Sequence, residues 1–191
     1  MPVTATLNLD LVRRLTNSFP NDNWQTFFTR DFFDSSNGQD ISNWGLMKHL
    51  KGVGGVYAIL LPTVLFSIPR ILHLHAPQHS HGGKRIPFQF TLPDLSGEGY
   101  GVVYVGRTTN LCQRWRGHLT RGKRKDGGQV KYGLIDCEVE ADIDAALRLL
   151  RKEAKIIYTV LPGPEECANR DILELSLCAR FGPPFNIKSE R

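Results

Sequence analysis

The sequence predicts an α+β domain in which a small sheet is flanked by helices, and three observations predict it. Short apolar runs rich in β-branched residues and punctuated by glycine recur at 56–61, 101–106 and 155–161, each reading as a central strand. Stretches with apolar residues at helical spacing lie around them, at 111–119, 143–154 and 168–180. At 191 residues and 41% hydrophobic composition, the chain can bury one good core and a small appendage.

Taken in order, residues 5 to 50 read as mostly helical. Leu7, Leu9, Leu11, Val12 and Leu15 come early, followed by an aromatic cluster at Trp24, Phe27, Phe28, Phe32 and Phe33, and Leu46 to Leu50 precede a glycine-rich break. Aromatics at such spacing are core residues. Residues 1–51 are therefore expected to form an N-terminal helical extension packed on a second unit, 52–191. That unit opens with Gly52-Val53-Gly54-Gly55 and the strand Val56-Tyr57-Ala58-Ile59-Leu60-Leu61. The apolar character continues to Leu74, but Pro62, Pro69 and Arg70 interrupt it, so no run approaches the ~20 residues of a bilayer span. No membrane partner is expected.

The second strand, Gly101-Val102-Val103-Tyr104-Val105-Gly106, shares the glycine and tyrosine make-up of the first. Glycine beside a strand tyrosine lets a ligand approach the backbone closely. A helix follows, for which Thr109 or Asn110 can supply the cap and Leu111, Trp115 and Leu119 the buried stripe. Arg114 and His118 lie four apart on a neighbouring stripe of that helix. A fixed guanidinium beside an imidazole that titrates near neutrality is equipment suited to a reacting phosphate.

The charge pattern agrees. From Arg107 to Lys125 stand seven basic residues, Arg107, Arg114, Arg116, Arg121, Lys123, Arg124 and Lys125, with no Asp or Glu, although the whole chain carries only +5. Such a segment attracts polyanions with a strong salt dependence. Downstream, Asp142 can cap a helix carrying Ile143, Leu147, Leu150 and Ala154, the third strand ends at Pro162-Gly163-Pro164, and a last helix runs from about 168 to 180. Glu174 on that helix sits among Ile172, Leu173, Leu175 and Leu177, where a carboxylate is costly unless something positive holds it. Two partners are open: a salt bridge, with Arg170 one turn earlier, or a divalent cation completed by waters and a substrate phosphate.

The four cysteines, Cys112, Cys137, Cys167 and Cys178, have no C-x-x-C spacing and accompany no signal peptide, which suggests free thiols in a reducing cytoplasm.

Together these residues resemble the GIY-YIG nuclease superfamily. Gly55-Val56-Tyr57 is similar to its first signature, Tyr104-Val105-Gly106 to its second, and Thr108 to His118 approximates the Thr-x-Asn-Leu-x-x-Arg-x-x-x-His pattern that follows. An acidic helix at Glu174 and Pro183-Pro184-Phe185-Asn186 complete the order, so the resemblance covers roughly 52 to 188. It implies a small mixed or antiparallel three-stranded sheet flanked by helices, and hydrolysis of DNA phosphodiesters with one Mg²⁺ or Mn²⁺ ion per site. It further implies that Glu174 binds the metal, Tyr57 lies against the attacking water, and Tyr104 and His118 handle protons and orientation. Arg114 would hold the scissile phosphate, and Asn186 would brace the site. Physical chemistry leaves the base open between Tyr57 and His118, since a free phenol ionises only near ~10.

One departure is large. The two strand tyrosines of that family are ordinarily joined by a tight connection, whereas here an insertion of about 62–99 intervenes. Such insertions are surface features that often recognise substrate, and this one looks more like the restriction-enzyme branch, whose palindromic sites favour a twofold homodimer. Ile86 to Leu92 is expected to add a strand there. His73, His75, His79 and His81 alternate in a way that could place imidazoles together, although a zinc site would lack cysteine ligands. The alternative function is a non-cleaving or RNA-directed nucleic-acid-binding protein of the same fold.

Overall fold

The structure is a computed structural model that describes residues 6–34, 41–42, 44–75, 85–95, 97–121 and 128–186. In chain order it contains α1 (Leu9–Ser18), β1 (Gln25–Phe28), β2 (Phe33–Asp34), β3 (Ile41–Ser42), β4 (Gly55–Pro62), β5 (Arg70–His75), β6 (Arg85–Phe90) and β7 (Tyr100–Thr108). Then follow α2 (Leu111–Leu119), α3 (Gln129–Asp136), α4 (Ile143–Glu153), β8 (Lys155–Val160) and α5 (Cys167–Phe181). Short 3₁₀ turns occupy Thr29–Asp31, Trp44–Leu50 and Thr63–Phe66.

The main sheet is antiparallel, in the order β1-β8-β4-β7. Its three expected strands are present, and a fourth joins them. β1 pairs with β8 from Gln25↔Tyr158 to Phe28↔Lys155, so the aromatic segment expected to be helical is partly strand. Trp24, Phe27 and Phe28 fit helical spacing, but the edge of β8 offers backbone partners that a helix would leave unpaired. Phe27 then lies 5.0 Å from Trp115 and 4.8 Å from Phe32, ring centre to ring centre. Within the described part of 1–51 the α-helical content is α1 alone, a correction to the mostly helical reading.

Strand alternation divides the core in two. Val56, Ala58 and Leu60 of β4 face α1 and α5, packing with Val12, Leu15, Leu173 and Leu177. Tyr57, Ile59 and Leu61 face the opposite way, toward Leu111, Trp115 and Leu119 of α2, Val130 and Leu134 of α3, and Ala146 and Leu150 of α4. The expected α2 stripe is fully buried, each such side chain contributing about 1.5–3 kcal/mol.

The insertion forms a separate antiparallel hairpin, β5 with β6, including the strand expected from Ile86 onward. It is more than a surface loop, since Phe66, Leu72 and Leu92 enter the same core as Tyr57. His73 and His75 fall on β5, while His79 and His81 lie outside the described residues. Among the described residues no helix is long and apolar enough to cross a membrane.

Candidate active site

The site is built around β7, the outer strand of the sheet, with α2 on one face and α5 on the other. Tyr104 reaches the α2 face through an irregularity in register. β4 and β7 pair Ile59 with Tyr104 but Leu60 with Val102, leaving Val103 as an extra residue. A one-residue bulge reverses the alternation beyond it. Val103 and Tyr104 therefore both join the core that contains Tyr57, while Val102 and Val105 lie in the other. Gly106, opposite Tyr57, completes the arrangement: a Cβ there would stand 2.7 Å from the Tyr57 hydroxyl and 2.7 Å from the Tyr104 ring.

The chain then turns directly into α2. Of the two candidate caps it is Asn110 that serves, its side-chain oxygen accepting the Gln113 N–H at 3.1 Å. At the far end Lys131 donates to the carbonyls of Gly117 and Thr120 at 3.0 and 2.5 Å, and Arg151 donates to that of Leu119 at 2.9 Å. Two cations on the open carbonyls suit the negative end of a helix. With both ends held, Arg114 and His118 project toward the tyrosines.

Four side chains meet there. The Tyr57 hydroxyl and His118 Nε2 are 2.7 Å apart, and Arg114 donates from Nε to Tyr57 at 3.2 Å and from Nη2 to the Tyr104 hydroxyl at 3.3 Å. Tyr57 and His118 are fully buried, Tyr104 nearly so. Burial pushes the Tyr57 phenol well above its ordinary value, the neighbouring Tyr104 adding to this and Arg114 opposing it. Burial likewise raises Tyr104, again against Arg114. Burial works against the Arg114 charge too, but the two phenol oxygens outweigh it and hold the guanidinium protonated. His118 is lowered well below 6.5 by burial first, then by Arg114 and Lys131. Neutral imidazole beside neutral phenol allows two proton arrangements, with Tyr57 donating to Nε2 or Nε2–H donating to Tyr57. In both, Nδ1 is a buried atom with no partner among the described residues.

Glu174 approaches from α5, on the other face of β7. Its carboxylate is raised by burial and lowered by Arg107, with Asp171 raising it further and Arg114 lowering it. The salt-bridge partner is not Arg170, whose guanidinium is buried and donates to the carbonyls of Leu161 and Gly163 at 2.6 and 2.8 Å. It is Arg107, whose Nε stands 2.9 Å from Glu174 Oε2 and whose Nη1 stands 2.6 Å from Asp171 Oδ1. Asn186 reaches β7 from the C-terminal segment, accepting from the Val105 N–H at 2.8 Å and donating to the Val105 carbonyl at 2.7 Å.

Of the residues expected in the basic edge, Arg107 is thus engaged by carboxylates and Arg121 is paired with Asp144. Arg116 lies on an exposed face of α2, and Lys123, Arg124 and Lys125 lie outside the described residues. Sequence reasoning missed Asp171 and Lys131. The first was discoverable, since Asp171 and Glu174 are three apart on one helix face. Lys131 carried no signal, because beside a basic run it reads as one more surface charge.

A divalent ion fits this donor set in one form only. Among the described residues no three His, Cys, Asp or Glu side chains converge on a point, so a bound ion would rely on Glu174, on waters and on phosphate oxygens, a hard-oxygen set suited to Mg²⁺ or Mn²⁺. Set against family models, curated proteins and solved structures, the chain matches none.

Proposed function

We propose that this chain is a metal-dependent endonuclease of the GIY-YIG kind that hydrolyses phosphodiester bonds in DNA, with one Mg²⁺ or Mn²⁺ ion per site. The observation that carries the reading is the meeting of Tyr57, Tyr104, Arg114 and His118 through direct hydrogen bonds, with Glu174 across the same edge strand. Ordinary packing does not require two phenols, a guanidinium and an imidazole at one place. A site working on a phosphate can use all four, as charge stabiliser and as proton-handling groups.

Arg114 in this reading holds a nonbridging phosphate oxygen and stabilises the charge that develops in the transition state. Tyr57, too basic to ionise, acts through its neighbour: it receives a proton from the attacking water as it passes its own to His118 Nε2. The neutral state of His118 is what makes it an acceptor. Tyr104 orients the Arg114 fork, and Asn186 braces β7 at Val105, the residue after Tyr104. The ion, held by Glu174, would polarise the phosphate and the water. The four free cysteines fit a cytoplasmic setting, and restriction-type cutting of palindromes would call for a homodimer.

A non-cleaving or RNA-directed binding protein of the same fold is the second reading, favoured by the ion pairs that already satisfy Glu174 and Asp171. Incubation with duplex DNA, single-stranded DNA and RNA, in Mg²⁺ or in chelator, separates the two. The nuclease reading expects Mg²⁺-dependent cutting of duplex DNA, abolished in Glu174→Ala while duplex binding remains measurable. Intact substrates in every Mg²⁺ lane would overturn it, and cutting by Glu174→Ala would remove the metal assignment.

A further inference from the structure

We propose that Arg107 is an exchange residue that couples cation binding to polyanion binding at the proposed site: it covers the Glu174 and Asp171 carboxylates in the free protein and leaves them for a nucleic-acid phosphate. The inference rests on the nuclease reading for the identity of the two ligands, but its own foundation is a contact. One guanidinium bridges two carboxylates one helical turn apart, through Nε to Glu174 and Nη1 to Asp171.

Three properties of this contact make it an exchange point rather than a fixed brace. The Arg107 side chain keeps 44% of its surface in solvent and Asp171 39%, against 24% for Glu174, so the contact stands at a solvent boundary where competing ions can reach it. A structural arginine on α5, the helix that carries Glu174 and Asp171, looks different: Arg170 is buried and spends its donors on backbone carbonyls. Finally, Arg107 follows Gly106, the residue backing the Tyr57 hydroxyl, so its backbone is anchored beside the proposed reacting groups while its head reaches the α5 carboxylates.

The electrostatics then follow from counting charges. Arg107 with Glu174 and Asp171 sums to −1, enough to draw a cation, but one oxygen of each carboxylate, Glu174 Oε2 and Asp171 Oδ1, is taken. A divalent ion arriving alone competes with the guanidinium for those two oxygens. A polyanion offers that guanidinium an equivalent bidentate partner. Both ligands therefore favour the same state, with Arg107 off the carboxylates, and each must strengthen the other's binding by the same factor. The ion is then gathered chiefly when a phosphate is present to be cut.

The test uses the full chain. Mn²⁺ affinity without nucleic acid is measured by electron paramagnetic resonance for the wild type and Arg107→Gln, and the variant is expected to bind roughly 5- to 150-fold more tightly, the ordinary range of site-site coupling. In chelator, binding of a fluorescent DNA duplex is followed by anisotropy. Glu174→Gln should bind more tightly than the wild type because it frees Arg107 Nε and leaves only the Asp171 contact to give up, and Arg107→Gln/Glu174→Gln should lose that gain. Equal or weaker Mn²⁺ binding by Arg107→Gln overturns the proposal, as does a Glu174→Gln gain that persists without Arg107, which would reflect charge removal alone. Mg²⁺-dependent cutting with unchanged Mn²⁺ affinity in Arg107→Gln would sink the exchange and leave the nuclease standing. The expected affinities without cutting would do the reverse.

Discussion

His118 is the side chain whose surroundings say most about how the site works. An imidazole sealed between Tyr57 from β4, Tyr104 from β7, Arg114 on its own helix and Lys131 from α3 has no counter-charge among the groups facing it, and burial keeps it neutral. The linkage has a definite sign. The folded state resists protonation while the unfolded histidine accepts it near ~6.5, so this contribution to stability is complete above about pH 7, begins to be lost as pH falls below ~6.5, and goes on falling until the pH reaches the lower folded value. Thermal or urea unfolding at pH 5 to 8 should show His118→Gln with a flatter acid limb than the wild type, the difference approaching about 1.4 kcal/mol per pH unit below ~6. Parallel limbs would mean that the imidazole is not held neutral. Arg114 makes a second expectation. Its fork spans two phenols, a geometry that a lysine ammonium cannot reproduce, so Arg114→Lys should slow cleavage by roughly 10²–10³-fold with little change in duplex affinity by anisotropy. A variant that cuts normally would relegate Arg114 to packing.

β7 is the element on which everything else hangs, and its outer edge is where a sheet is most easily lost. A strand edge with open N–H and C=O groups invites wrong pairing. Here Asn186 stands in for a neighbouring strand at Val105, and Phe185 donates its N–H to the Val103 carbonyl at 3.0 Å. The Phe185 ring is fully buried in the core that holds Tyr57. The segment after α5 therefore clamps the bulge that orients Tyr104. Asn186→Ala should destabilise the protein by about 1–3 kcal/mol, the cost of leaving buried backbone groups unpaired, and should raise hydrogen exchange at Val105 above that at Val102. Undisturbed exchange at Val105 would assign Asn186 a contact role instead of a bracing one.

For the molecule entire, the proposed nuclease function gives the basic segment more weight than the net charge. Arg121 is half of an ion pair with Asp144 that is exposed and hence weak, so it does little for stability and can yield to a phosphate. Neutralising Arg121, Lys123, Arg124 and Lys125 together is expected to weaken duplex binding across sequences and flatten the plot of log affinity against log salt, by close to 0.9 per lost phosphate contact. An unchanged slope would place the phosphate path elsewhere. The thiols Cys137 and Cys178, pushed up to about 12 chiefly by burial, stay protonated at neutral pH and are poor nucleophiles there.

Local pattern was sufficient for the strands around Tyr57 and Tyr104, for the buried stripe Leu111, Trp115 and Leu119, and for the Asp142 cap, whose side chain accepts from the amides of Asp144 and Ala145. Each of these follows from period, turn chemistry or capping within a few residues. Arg114 and His118 were equally local, four apart on one helix, whereas Tyr57, Glu174 and Asn186 joined them only through the family resemblance. The sequence could not show β1 as a strand, since that depends on the open edge of β8 rather than on the spacing of Trp24, Phe27 and Phe28. Nor could it show which face Tyr104 occupies, because the extra residue at Val103 exists only in register with β4. The partner of Glu174 was decided the same way. On one helix Arg170 is the nearer cation, but α5 packed across the edge strand turns Glu174 toward Arg107, 67 positions away in the chain. Chain neighbours specify helices, strands and caps, whereas charges and edges pair by distance in space, which only packing sets.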